Sequence, residues 1–120
     1  GQHNLKILAP KEYGPTGFLT VPHDFDFSGL VNTNYAVPSE SLGTTSVRER
    51  YYLGPCRSIQ IHEETIQELA QFNDEIMGYI RDFEYLDEKE RVDMIEYLES
   101  YVKDSRESGF IDRKISPTCR

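Results

Sequence analysis

Apolar and polar residues alternate along the first stretch of the chain and then change period. Residues 4–9 (NLKILA) alternate and predict a strand. Residues 10–17 (PKEYGPTG) carry two prolines and two glycines, which is strong turn chemistry. Residues 18–27 predict a second strand, so the chain opens as a β-hairpin, with Pro22 confining part of that strand to an edge or a bulge. Residues 28–43 (SGLVNTNYAVPSESLG) read as a loop, but Leu30, Val31, Tyr35, Ala36 and Val37 predict that it packs against something. Residues 45–53 predict a short helix capped by Thr45 or Ser46 and stopped at Gly54-Pro55.

Beyond this point the period becomes helical. Ile66, Leu69, Asn73, Ile76, Ile80 and Phe83 recur at three- and four-residue steps, flanked by Ala70 and Met77, and predict one amphipathic helix of about 20 residues. Asp87 and Glu90 in DEKE form a capping box that starts the next helix. Its inward stripe is Val92, Ile95, Leu98 and Val102, widened by Met94 and Tyr101, with a stop at Ser108-Gly109. The short link around Tyr85-Leu86 predicts an antiparallel helical hairpin, and residues 110–115 a last docking turn before Pro117. The fold class expected is α+β: an N-terminal β-hairpin and packed loop, then the helical hairpin. The 120 residues amount to a single domain or a domain fragment, with a hairpin and loop region at 1–61 and a helical region at 62–120.

Charge sharpens this division. Residues 1–61 hold five acids and five bases, whereas residues 62–107 hold fifteen acids against five bases, a net of −10. Such a bias excludes phosphate-backbone binding by the helical half, and no nucleic-acid partner is expected. No apolar run approaches the roughly 20 residues of a membrane span, so no transmembrane segment is expected, and no signal-peptide layout opens the chain. The first residues do not begin with Met and run almost directly into a strand, which predicts a start inside a longer polypeptide. Cys56 and Cys119 are compatible with one disulfide or two thiols, and neither cysteine has zinc-ligand spacing to His3, His23 or His62.

The chemistry concentrates in HDFDFSGL at 23–30, where Asp24 and Asp26 sit two apart among Pro22, Phe25, Phe27 and Leu30. Burying unpaired carboxylates costs several kcal/mol, so a compensating partner is expected. Three arrangements satisfy the pattern. In a strand the two acids share one face, with Phe25 and Phe27 on the other, and if the acidic face meets solvent no ligand is needed. DFDFSG also fits the first half of a helix–loop–helix calcium site, with acids at loop positions one and three, although the twelfth position is Tyr35 instead of Glu. The third arrangement is a magnesium–nucleotide site, which needs only one or two carboxylates beside phosphates and water. Such a site pairs an Asp with an Asn that holds a second ion, and hairpin closure would bring Asn4 to Asp24. Arg48 and Arg50, with Arg57, Tyr51 and Tyr52, form a basic aromatic patch that suits either a phosphate or substrate carboxylate or the acidic helices.

The segments HN at 3–4, VPHDFDFSGLVNTNYAVP at 21–38 and SVRERYYLGPCR at 46–57 resemble an uncharacterised bacterial family. That family carries HN-x-K-L-L, PYDFDYSGLVNAPYAVP and S-V-R-x-R-x-Y-x-G-x-C-R in the same order. It is similar in turn to the C-terminal part of the atypical kinases of the CotH and HipA groups. The resemblance implies part of a kinase-like C-lobe, with Asn4 and Asp24 as metal ligands and Asp26 as the alternative or second one. It implies Mg2+ or Mn2+ with ATP as cofactors, the upstream part of the same polypeptide as partner, a protein as one class of substrate, and export from the cytoplasm. His23 stands where the family usually has Tyr. The catalytic Asp, the nucleotide-binding Lys and the glycine-rich lobe would all precede Gly1, so the chain alone is expected not to transfer phosphoryl groups. The alternative is a non-catalytic acidic α+β module that binds a protein or plays a structural part.

Overall fold

The structure is a computed structural model that describes residues 4–9 and 18–120. The predicted turn at 10–17 lies outside the described residues, as does His3. The chain divides into two compact units, residues 1–49 and 50–120. The division falls before the change of charge at 61, because Arg50 and the residues after it belong to the helical unit.

In the first unit, strands β1 (Leu5–Leu8) and β2 (Leu19–Pro22) pair antiparallel with Leu5 opposite Pro22 and Leu8 opposite Leu19. Pro22 has no N–H to donate and ends the strand, so β2 is five residues shorter at its C-terminal end than the alternation suggested. One face carries Leu5, Ile7, Thr20 and Pro22, the other Lys6, Leu8, Leu19 and Val21. Both faces are exposed, Ile7 by 63% and Leu19 by 62%. Further along, a single 3-10 turn (Glu40–Leu42) ends at Gly43, whose φ of 65° is the left-handed closure that glycine adopts without strain.

The helix predicted at 45–53 does not form. The Glu49 carboxylate instead folds back to accept from Thr45 N at 2.6 Å, Thr45 Oγ1 at 2.8 Å and Ser46 N at 3.0 Å. These bonds satisfy the first amides of a turn, but Gly54-Pro55 follows too soon for a helix to propagate.

The second unit holds four helices: α1 (Ile59–Ala70), α2 (Asn73–Asp82), α3 (Glu88–Ser105) and α4 (Phe110–Lys114). Ser58 caps α1 through Ile61 N. The single helix predicted through 66–83 is broken in two. At Gln71 and Phe72 the bonding tightens, with Phe72 N donating to Leu69 O at 3.0 Å, before Ile76 N restarts the helical ladder on Phe72 O at 2.9 Å. A 3-10 step turns the chain by about 120° per residue in place of about 100°. The apolar stripe shifts accordingly. Ile66, Asn73, Met77 and Ile80 are half-buried, while Leu69, Ile76 and Phe83 are exposed.

Asp87 caps α3 as expected, its Oδ1 accepting from Glu90 N at 2.8 Å. α2 and α3 pack together across residues 83–87 as the predicted helical hairpin. Arg91 ties the joint: it pairs with Glu88 at 2.7 Å and donates to the carbonyls of Phe83 and Leu86 at 3.2 and 2.9 Å, groups left over where α2 ends. Met94, Ile95, Leu98, Tyr101 and Val102 are half-buried, whereas Val92 is exposed. Gly109, at φ 72°, starts α4, and the Phe110 ring meets Tyr101 edge to face with centroids 6.3 Å apart.

Burial is sparse. Among the described residues only Ile111, Ile115 and His62 are buried, and His62 lies edge-on to Tyr52. A disulfide supplies what burial does not: Cys56 and Cys119 are bonded, with Cα atoms 4.9 Å apart and a sequence separation of 63. Closing a loop of that length removes unfolded-state entropy worth roughly 4 kcal/mol. Among the described residues no helix is long and apolar enough to cross a membrane.

Asp87→Ala removes the cap of the longest helix. It should lower stability by about 1 kcal/mol in urea unfolding, with Asp87→Asn retaining most of it.

Candidate functional site

The site is built where β2 stops. With Pro22 at its end, the chain leaves the sheet, and Asp24 takes a left-handed φ of 65°. Asp is among the few residues with a Cβ that tolerate this conformation. Asp24 and Asp26 therefore do not sit on one face of a strand, which corrects the strand geometry expected for them. Phe25 and Phe27 do not enter a core either; they are 52% and 54% exposed.

Local polar bonds hold this segment in place of a core. His23 N donates to Asn4 O at 2.9 Å, which continues the hairpin ladder past its last paired residues. The Asn4 side chain reaches the same bend and donates through Nδ2 to the backbone carbonyl of Asp24. Hairpin closure thus brings Asn4 to Asp24 as the sequence suggested, but its amide bonds to the main chain, not to the carboxylate. Asp26 is gripped twice. Its carbonyl accepts from Thr33 Oγ1 at 2.8 Å, and its Oδ2 accepts from the Tyr35 hydroxyl at 3.1 Å. The loop between is closed by Ser28, whose carbonyl accepts from Asn32 N at 3.0 Å and whose Oγ accepts from Val31 N at 3.2 Å. Asn32 is the second left-handed residue, at φ 51°. Phe27 and Tyr35 meet edge to face with ring centroids 6.0 Å apart.

The helix–loop–helix calcium reading does not fit this frame. A strand precedes Asp24, and no helix flanks the loop among the described residues on either side before the 3-10 turn at Glu40–Leu42. Tyr35, at the twelfth position where that motif needs a bidentate Glu, offers a hydroxyl donor to Asp26 instead of a carboxylate to a cation. Among the described residues no group of three or more His, Cys, Asp or Glu side chains could hold a metal ion. Two carboxylates at the bend could still serve a hard cation whose other positions are filled by phosphate and water.

The sequence marks Tyr35 as a packing residue and Thr33 only as loop, yet both fix the position of Asp26. The available signal was a hydroxyl pair seven and nine residues after an acid, and that spacing belongs to no regular element.

The arginines are placed separately, Arg48 in the first unit and Arg50 in the second. Arg48 is half-buried beside its own turn, its amide donating to Ser46 Oγ at 3.1 Å. Arg50 is anchored on α3: its guanidinium donates to the Tyr97 carbonyl and, at 2.8 Å, to Ser100 Oγ, pairs with Asp104 at 3.6 Å, and lies 4.1 Å from the Tyr97 ring centroid. Guanidinium geometry suits this fourfold grip and an ammonium does not.

No family model, no curated protein and no solved structure matches the chain.

The hydrogen bond to Asp26 raises the Tyr35 phenol above its ordinary value, helped by desolvation and by the nearby negative charge. A raised folded-state value means that this contribution to stability is complete below the ordinary tyrosine value of about 10 and is lost as pH rises through the folded value. In an NMR titration of the Tyr35 ring, Asp26→Asn should bring its midpoint back toward the ordinary value. Arg50→Lys should lower the stability of the helical unit by roughly 1–3 kcal/mol in urea unfolding, because charged hydrogen bonds of that strength are lost.

Proposed function

We propose that the chain is the C-terminal portion of a kinase-like phosphotransferase domain, related to the CotH and HipA groups, and that it is inert by itself. In this reading Asp24 and Asp26 give carboxylate oxygens to a Mg2+ or Mn2+ ion that carries ATP. The observation that supports it is the meeting of Asn4 and Asp24 at the base of the hairpin. An amide from the first strand and a carboxylate from the bend after the second are the groups that a two-ion nucleotide site draws together. Asn4 would then have two uses: Nδ2 holds the bend through the Asp24 carbonyl, and the amide oxygen would be the ligand for the ion. The base, the lysine and the glycine-rich lobe come from the upstream part of the same polypeptide, with a protein as one class of substrate. Arg48 and Arg50 are the weaker candidates for phosphate contact, and Arg50 would have to abandon Tyr97, Ser100 and Asp104 to serve.

A second reading has its own support. The exposed apolar residues on both faces of the hairpin, and the acidic helices, suit a non-catalytic module that binds a protein partner.

Titration of Mg2+ or Mn2+ with ATP on the longest natural polypeptide that contains this chain separates the two. Asp24→Ala and Asn4→Ala should each weaken metal-dependent nucleotide binding by about tenfold or more. Unchanged binding in both variants, with unchanged unfolding, removes the metal reading and leaves the module.

A further inference from the structure

We infer that the Cys56–Cys119 bond is the condition under which the helical unit folds, so that the protein matures where thiols are oxidised. This holds whether the hairpin carries a nucleotide site or not. The reason is where the buried side chains lie. Among the described residues the only buried apolar ones, Ile111 and Ile115, belong to α4 and its C-cap, and the one buried polar side chain, His62, is in the first turns of α1. The disulfide joins the segment before α1 to the segment after α4, so it spans all three.

Besides that link, α4 is held by the edge-to-face contact of Phe110 with Tyr101 and by Arg113, which pairs with Glu107 at 3.0 Å and donates to the Ser108 carbonyl at 2.6 Å, all exposed or half-buried contacts with the stretch just before it. A helix of five residues does not persist in water alone. Its carboxyl-terminal turn bonds to itself, Cys119 N to Ile115 O at 3.0 Å and Ile115 N to Ile111 O at 2.9 Å. Two backbone bonds flank the join, Cys56 N to Arg120 O at 3.2 Å and Arg120 N to Gly54 O at 3.0 Å, so the same two segments are held beside the disulfide. Position 54 is itself constrained, since any Cβ there would overlap the Tyr52 ring that packs on His62.

The chemistry is a two-electron exchange. Two cysteine thiols give up two protons and two electrons to an acceptor disulfide, which leaves as two thiols, while one S–S bond forms in the protein. Reduction by an excess of small-molecule thiol runs the same exchange backwards.

The test compares the full chain oxidised, reduced with dithiothreitol, and reoxidised with glutathione disulfide. Reduction should lower the folded-to-unfolded ratio by roughly a thousandfold, from the entropy of a loop of this length. Amide protection at Ile115 and Cys119 should be lost first and should return on reoxidation. A Cys56→Ser/Cys119→Ser double variant should match the reduced chain, and a chain made in a reducing cytosol should have alkylatable thiols and poor protease resistance. The inference is overturned if the reduced chain, or the double variant, keeps the urea midpoint and the Ile115 protection of the oxidised protein. A chain with free thiols that resists protease as well as the oxidised one also overturns it. Unchanged nucleotide binding in the Asp24→Ala and Asn4→Ala variants, beside the expected disulfide response, counts against the proposed function alone.

Discussion

A covalent bond between Cys56 and Cys119 does for the helical unit what apolar burial does for most domains of its size. Conformational entropy opposes folding by one to two kcal/mol per residue or thereabouts, and a core must outweigh it. With two buried aliphatic side chains among the described residues, the helices cannot do so through burial alone. The bond works on the other side of the balance by restricting the unfolded chain. The remaining devices are polar and local. Ser58 and Asp87 cap helices, Arg91 covers leftover carbonyls between α2 and α3, and Arg50 clasps the outer turns of α3.

The hairpin unit follows the same logic without a disulfide. Its two strands present apolar residues to solvent on both faces, a pattern usual for strands that are covered on both sides. A two-stranded sheet is marginal by itself, so the bend after β2 is fixed by hydrogen bonds to Asn4, Thr33 and Tyr35. Those bonds place two carboxylates at an exposed bend with little apolar support. Such an arrangement serves a ligand that brings its own oxygens, and it serves a partner surface equally well in energetic terms.

Legibility from sequence tracked how local each signal was. The cap at Asp87 and the break at Ser108-Gly109 rest on contacts within a few residues, the hairpin on two short alternating runs, and these and the α+β class are present. The helix expected at 45–53 failed because one carboxylate, Glu49, closed a turn that the residue pattern could not distinguish from a first helical turn. The long helix through 66–83 failed at a point with no proline or glycine, where two residues tightened by one bond each. At the acidic bend, alternation extended the strand too far; the missing N–H of Pro22 was visible, but its consequence for Asp24 was not.

Composition and period were enough to establish an acidic helical half, a short hairpin before it and an acid pair within HDFDFSGL, because each follows from residue type and spacing along the chain. Folding in three dimensions settled the rest. It joined two cysteines 63 residues apart, turned Arg50 onto α3, and gave Asp26 to Tyr35 and Asn4 to the Asp24 carbonyl. Those pairings depend on which distant groups meet, and one-dimensional spacing carries no record of that.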